Sequence, residues 1–209
     1  MNYRIKEIYF TQQGEGKNTG KDFVFVRFSG CNLWSGKEKH RASAICKFCD
    51  TDFYGTDGVN GGIYKTKDLV TKIKSLWVSM DSEISVVLTG GEPLLQVDYS
   101  LITALKKENI YIAIETNGTL KAPKGIDWIC MSPKANTDIQ LTEGSEIKVI
   151  FPQENLDPAD FNNMNFSNYY IQPMDSIDYE ANVSKSVEFC MQNSNWRLSL
   201  QTHKILGIR

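Results

Sequence analysis

The chain has 209 residues, 41% of them hydrophobic and 23% charged, a balance that suits a globular protein with a real core and excludes disordered and fibrous classes. Lys and Arg total 23 against 25 Asp and Glu, for a net charge of -2 with no block of one sign, so the electrostatic footprint of a nucleic-acid or anionic-membrane binder is missing. No run approaches the roughly 18 apolar residues that span a bilayer and the first residues form no apolar signal core, so the expectation is a cytoplasmic protein with neither membrane nor nucleic acid among its partners.

In chain order, residues 22–29 read as the first strand, and a long cysteine-bearing loop follows. Residues 65–80 place Leu69, Ile73, Leu76 and Met80 at helical spacing, and residues 84–89 form a short β-branched strand ending at Gly90-Gly91. The pattern continues with a helix at 98–108, strands at 110–116, 128–132 and 146–151, and a short helical segment at 158–164. A strand at 169–172, a helix at 179–192 and a last strand at 196–200 complete it. Strands joined by helical crossovers predict mostly parallel pairing, right-handed connections and ligands at the carboxyl ends of the strands. Polar, turn-forming residues collect there: Cys31, residues 89–93, residues 115–118, residues 132–134, residues 172–175 and residues 201–204 each follow a strand. The expected fold class is α/β, a partial (β/α) barrel in one domain over residues 1–209, with its site on one face.

Two of the five cysteines, Cys130 and Cys190, sit in apolar context and read as small buried hydrophobes. The other three, Cys31, Cys46 and Cys49, share one loop, with 14 residues (32–45) inserted between the first two and a Cys-x-x-Cys pair at the end. In a reducing compartment such thiols bind metals or do chemistry more often than they crosslink. Three thiolates on a [4Fe-4S] cluster leave one iron without a protein ligand, open to a substrate or cofactor. A zinc site completed by His40, in the same loop, is the alternative that the cysteines alone leave open. Gly90-Gly91-Glu92-Pro93 after a buried strand offers unobstructed backbone groups, an acceptor and a fixed turn, which suits a small amino-acid-like ligand.

Together these motifs resemble the radical S-adenosylmethionine (SAM) enzymes: three cysteines in the loop after the first barrel strand, Phe48 just before the third, and the Gly-Gly-Glu-Pro turn after the next strand. The long first gap departs from that superfamily's usual short one, a change that loop-closure entropy tolerates because it grows slowly with length. Over nearly the whole chain the sequence is similar to the 7-carboxy-7-deazaguanine synthase family, some of whose members share the expanded gap. The match runs through Thr11-Gln12-Gln13-Gly14-Glu15-Gly16, Val26-Arg27-Phe28, Cys49-Asp50-Thr51, Glu115-Thr116-Asn117-Gly118, Ser132-Pro133-Lys134, Gln172-Pro173 and residues 196–204, with Gln12 standing where an apolar residue is usual.

The resemblance implies a [4Fe-4S] cluster on Cys31, Cys46 and Cys49, with SAM on the open iron. It implies a 5'-deoxyadenosyl radical that abstracts the C6 hydrogen of 6-carboxy-5,6,7,8-tetrahydropterin, and ring contraction to 7-carboxy-7-deazaguanine with loss of ammonia, a lyase step of queuosine biosynthesis. SAM contacts are implied for Phe48, Cys49, Asp50, Gly91, Glu92, Ser132, Pro133, Lys134, Gln172, Pro173, Met174 and Asp175, and a Mg²⁺ ion for Thr51. Pterin contacts are implied for Gln12, Gln13, Gly14, Glu15, Arg27, Thr89, Gly90, His203 and the terminal carboxylate of Arg209. A homodimer and electron supply by a flavodoxin or ferredoxin come with the same resemblance. Two other readings stay open at this point. A glycyl-radical-enzyme activase would have a foreign long gap, and a non-catalytic zinc or iron–sulfur scaffold would leave residues 90–93 and 132–134 without a purpose.

Overall fold

A computed structural model describes residues 2–79 and 82–208. In chain order these form β1 (Asn2–Gln12), β2 (Asp22–Phe28), β3 (Gly62–Lys65), α1 (Thr66–Leu76), β4 (Ser85–Gly90), α2 (Tyr99–Lys107), β5 (Tyr111–Thr116), β6 (Trp128–Met131), β7 (Glu143–Phe151), β8 (Asn165–Pro173), α3 (Tyr179–Gln192), β9 (Trp196–Leu198) and α4 (Thr202–Leu206). The strands share one open sheet in the order β3-β1-β2-β4-β5-β6-β7-β8-β9. Every neighbouring pair from β2 to β9 is parallel, while β1 and β3 extend the β2 edge antiparallel. This is the mostly parallel α/β sheet of a partial barrel. Among the described residues no helix is long and apolar enough to cross a membrane.

The differences from the sequence reading are local. β1 was not expected, and its register explains why: the pairing with β2 shifts between Ile5 and Glu7, so the buried set runs Tyr3, Ile5, then Ile8, and the period-2 pattern that marks a strand is broken by one residue. α1 ends at Leu76, where Trp77 turns to extended backbone and packs edge-on against Phe10 at 5.4 Å; Met80, the expected helix end, lies outside the described residues. α2 and α3 are the expected crossovers into β5 and β9; no α-helix joins β5 to β6 or β6 to β7, matching the consecutive strands read there, nor β7 to β8. The last of these connections carries the 3-10 turn Pro158–Phe161, where a short helix was expected.

The sheet sorts its side chains by face. Val24, Val26, Phe28, Val86, Leu88, Ile112 and Ile114 point to the helix side, where Leu69 and Ile73 of α1 and Leu101, Ile102 and Leu105 of α2 cover them. Farther along, Ile147, Val149 and Ile171 join Met131, Phe161, Phe166 and Trp196 in a second core beside α3. Asp98 caps α2, accepting the Leu101 N–H at 2.9 Å and the Tyr3 hydroxyl at 2.9 Å, which ties this helix to β1. The opposite, inner face begins apolar at the amino ends of the strands, with Phe23, Phe25, Val87 and Ala113. Two residues farther on, the same alternation places Arg27, Thr89 and Glu115, so the inner face turns polar toward the carboxyl ends.

Candidate active site at the carboxyl ends of the strands

A cavity of about 490 Å³ opens at that polar end, lined from β1, β2, every strand from β4 to β8, the cysteine loop and the C-terminal segment. Its lining includes the thiol-bearing group Cys31, Cys46, Phe48, Cys49, Asp50 and Thr51, and also Ser132, Lys134, Gln172, Pro173, Met174 and Asp175. Gln12, Gln13, Gly14, Glu15, Arg27, Thr89 and His203 line it too, as do Gly90 and Gly91.

In the thiol-bearing group, Cys31, Cys46 and Cys49 are free. Burial pushes all three thiols up, and Lys134 pulls Cys46 and Cys49 back toward the thiolate. Lys134 itself is held by its own loop, donating to the Ser132 carbonyl at 2.6 Å and to Ser132 Oγ at 2.8 Å; burial lowers its pKa. Three free thiols from one loop, lining one cavity with a cation nearby, suit a cluster. His40, the fourth ligand a zinc site would need, is exposed, 2.8 Å from Ser35 Oγ, and lies off the cavity wall.

Another part of the lining is a network of charge centred on the buried Lys148. Lys148, with its side chain 5% exposed, forms an ion pair with Glu15 and lies 3.6 Å from Glu115. Burial opposes the lysine's charge, but Glu115 and Glu15 hold it well above its ordinary range. Burial also opposes ionisation of Glu15, yet Lys148 brings its carboxyl down to about 2. The second oxygen of Glu15 accepts from Gln201 at 2.9 Å, and Glu115 accepts from Gln13 at 3.0 Å and from Thr89 at 3.1 Å. Arg27 donates to Glu7 at 2.8 Å and to the Tyr9 hydroxyl at 3.0 Å, while the Tyr9 ring stacks on Phe25 at 5.7 Å. The result is a lining rich in fixed acceptors, with the buried Lys148 and the partly buried Arg27 set among them.

Close backbone approach explains two of the glycines. A Cβ on Gly91 would stand 2.2 Å from the Gly30 carbonyl oxygen and 2.7 Å from Cys31 Cβ, so only glycine lets this turn press against the root of the cysteine loop. A Cβ on Gly14 would stand 2.3 Å from His203 Nδ1, where the Gly14 carbonyl accepts from Thr202 N–H at 2.9 Å and docks α4 beside the cavity. Lys204 then bridges Asp50 of the cysteine loop and Asp175 after β8.

Two residues expected to contact SAM, Glu92 and Pro133, are not among those lining the cavity. Glu92 is fully buried and off the cavity wall, its carboxylate accepting from Leu94 N–H at 2.9 Å, Thr116 Oγ1 at 2.8 Å and Asn117 N–H at 2.8 Å. The turn that presents Gly91 to the cavity sends the next side chain behind it, where it ties the turn to the end of β5. Pro133 also lies off the wall, its carbonyl taken by Gln153 at 3.3 Å. Arg209 lies outside the described residues; its near neighbour Ile208 is on the wall. Sequence reasoning missed Lys148 and Tyr9, and it placed Glu115, Gln201 and Lys204 at the strand ends without giving them a role. For Lys148 a signal existed: Glu146, Lys148 and Ile150 share one face of β7, opposite the apolar Ile147 and Val149, so a charge was bound to face the barrel interior.

The Radical SAM superfamily model matches residues 40–142, a stretch that starts inside the long gap and takes in Cys46, Cys49 and residues 90–93. A 7-carboxy-7-deazaguanine synthase of Caulobacter vibrioides is 52% identical over the full length of both chains, and one of Burkholderia multivorans is 50% identical, again over the full length of both. One of Bacteroides thetaiotaomicron is 37% identical over both full lengths. The crystal structure of QueE from Escherichia coli superposes with a TM-score of 0.72 at 26% identity, covering 96% of this chain and 94% of that one.

Proposed function

The chain belongs to the 7-carboxy-7-deazaguanine synthase family of radical SAM enzymes, and we propose that its cavity converts 6-carboxy-5,6,7,8-tetrahydropterin to 7-carboxy-7-deazaguanine, with ring contraction and loss of ammonia. The observation that carries this reading is one cavity whose lining holds three free thiols together with the ion-paired Lys148, Glu15 and Glu115. Cys31, Cys46 and Cys49 would hold the [4Fe-4S] cluster. When bound, the cluster and SAM together supply a hydrogen-abstracting radical, the step no side chain here can perform.

The chain's own residues bind, orient and exclude water. Lys134 has the charge and position to meet the SAM carboxylate, Ser132 and Gln172 can pair with ribose hydroxyls, and Phe48, Pro173 and Met174 offer apolar surface to the adenine. Gly91 admits SAM close to the backbone, with Glu92 acting from behind by fixing the turn. Elsewhere in the lining Arg27 brings a fork suited to the pterin carboxylate, and Glu15 and Glu115 bring acceptors for its N–H-rich pyrimidine edge. Gln12, Gln13, Gly14, Thr89 and His203 belong to the same pocket in this reading. Lys148 keeps both glutamates charged and ordered. Mg²⁺ on Thr51 is part of the proposal, supported by the place of Thr51 in the cavity lining two residues after Cys49. So are a single domain over residues 1–209 with 32–45 as an insertion, assembly as a homodimer, and a flavodoxin or ferredoxin as electron donor.

The test is anaerobic reconstitution followed by incubation with SAM, Mg²⁺, a reductant and 6-carboxytetrahydropterin. Wild type should release 7-carboxy-7-deazaguanine, and Cys31→Ala should release none. A wild-type protein that takes up iron and cleaves SAM but leaves this pterin unchanged would overturn the substrate assignment.

A further inference from the structure

The 14 residues between Cys31 and Cys46 are long in sequence and short in space. Their ends are zipped together, because the Leu33 carbonyl accepts from the backbone N–H groups of both Ile45, at 3.1 Å, and Cys46, at 3.3 Å. Leu33 and Trp34 are buried at the cavity wall, and Trp34 meets the Phe53 ring edge-on at 5.4 Å. What remains of the insertion folds into the 3-10 turn Glu38–Ser43, which carries Arg41 back over its own root.

Arg41 then makes three kinds of contact at once. Its Cζ lies 4.1 Å over the Trp34 ring. Its Nε donates to Glu38 at 2.8 Å, and its Nη1 donates to the carbonyls of Lys47, at 2.9 Å, and Cys49, at 3.1 Å. One guanidinium therefore holds the backbone on both sides of Phe48, within the Cys-x-x-Cys segment. Its positive charge is thereby fixed beside the backbone of Cys49. A planar fork can lie over the Trp34 ring while donating to both carbonyls at set angles, whereas a lysine ammonium brings charge and rotatable donors without that fixed geometry.

We propose that Arg41, delivered by the insertion, is a positioning residue for the iron–sulfur centre, clamping residues 46–49 in their ligating shape with a fixed positive charge beside them. The proposal rests on the reading of Cys31, Cys46 and Cys49 as cluster ligands. It gives the long gap a purpose: the extra residues reach back to support the ligands instead of lengthening the loop. Partners that orient a metal ligand typically matter about 10–100-fold for metal retention, and cluster charge and hydrogen bonding also set its potential.

The experiment uses the anaerobically reconstituted full chain and follows cluster absorbance after addition of an iron chelator, alongside the melting temperature of the cluster-free chain. Arg41→Gln should lose iron about tenfold faster than wild type while the cluster-free chains melt together. Arg41→Lys should fall between, since it keeps the charge and loses the fork. Equal iron loss in Arg41→Gln and wild type would overturn the proposal, as would a fall in cluster-free melting large enough to account for the faster loss. A wild-type chain that takes up no iron would instead overturn the cluster reading itself, a separate and recognisable result.

Discussion

Around the thiols the functional side chains stand on loop backbone, held by carbonyls and N–H groups: Leu33 closes the cysteine loop, Arg41 clamps its end, and the buried Glu92 fastens the neighbouring turn to β5. Among the charged residues, Lys148, Glu115 and Arg27 stand on strands, with Lys148 buried and the other two partly buried at fixed places in the sheet. The difference predicts two kinds of dependence. Thiols on a loop can be lost with little effect on the fold, whereas a lysine inside a sheet belongs to the fold and the site together. Removing one partner of a buried ion pair leaves an uncompensated charge and costs about 3–5 kcal/mol. Lys148→Met should therefore lower the melting temperature of the cluster-free chain by about 10 °C, and raise the KM for the pterin in the holoenzyme. A Lys148→Met chain that melts with wild type would erase the distinction between the two regions.

A smaller effect follows from pH. The Glu15 carboxyl lies near 2 in the folded chain against an ordinary value of 4.5, with Lys148 overcoming the effect of burial. A folded value below the unfolded one contributes stability that is fully present above about 4.5 and is lost as pH falls through about 2. Wild type should lose melting temperature across that window, and Glu15→Gln, having no proton to gain, should show a shallower slope over the same range. Equal slopes would assign the acid sensitivity to other carboxylates and leave the charged network without its expected signature. The thiol group has no counterpart, so Cys49→Ala should leave the slope unchanged.

How much of this was legible in the sequence depends on which physical signal each residue carries. Strands β4 and β5 announce themselves because Val86-Val87-Leu88 and Ile112-Ala113-Ile114 are short β-branched or apolar runs bounded by turn residues. β1 hides because the register shift after Ile5 breaks the alternation, although Tyr3, Ile5 and Ile8 are all fully buried. The cysteines and glycines were legible because their chemistry survives without knowledge of direction: a thiol or a missing Cβ is informative wherever it sits. Side-chain direction is a different matter. Glu92 follows Gly91 in a turn whose geometry no linear pattern gives, so its carboxylate goes to Thr116 and Asn117. Lys148 was available from face counting along β7, and was lost because a run such as Glu-Ile-Lys-Val-Ile reads as a strand before it reads as two faces.

The smallest expected change in stability lies among the thiols and sharpens the contrast most. Cys46 is buried, 6% exposed, yet it is a small side chain whose neighbours are held by backbone bonds that do not involve its sulfur. Cys46→Ala removes about one methylene's worth of burial, on the order of 1 kcal/mol, so the cluster-free chain should melt only about 2–4 °C lower. The same substitution deletes one of three cluster ligands, and reconstitution should then leave no stable [4Fe-4S] absorbance. Lys148→Met should do the reverse, keeping its iron while losing stability. If Cys46→Ala destabilised the cluster-free chain as much as Lys148→Met, the cysteine loop would be part of the folding core, and its backbone bonds could not be what holds it in place.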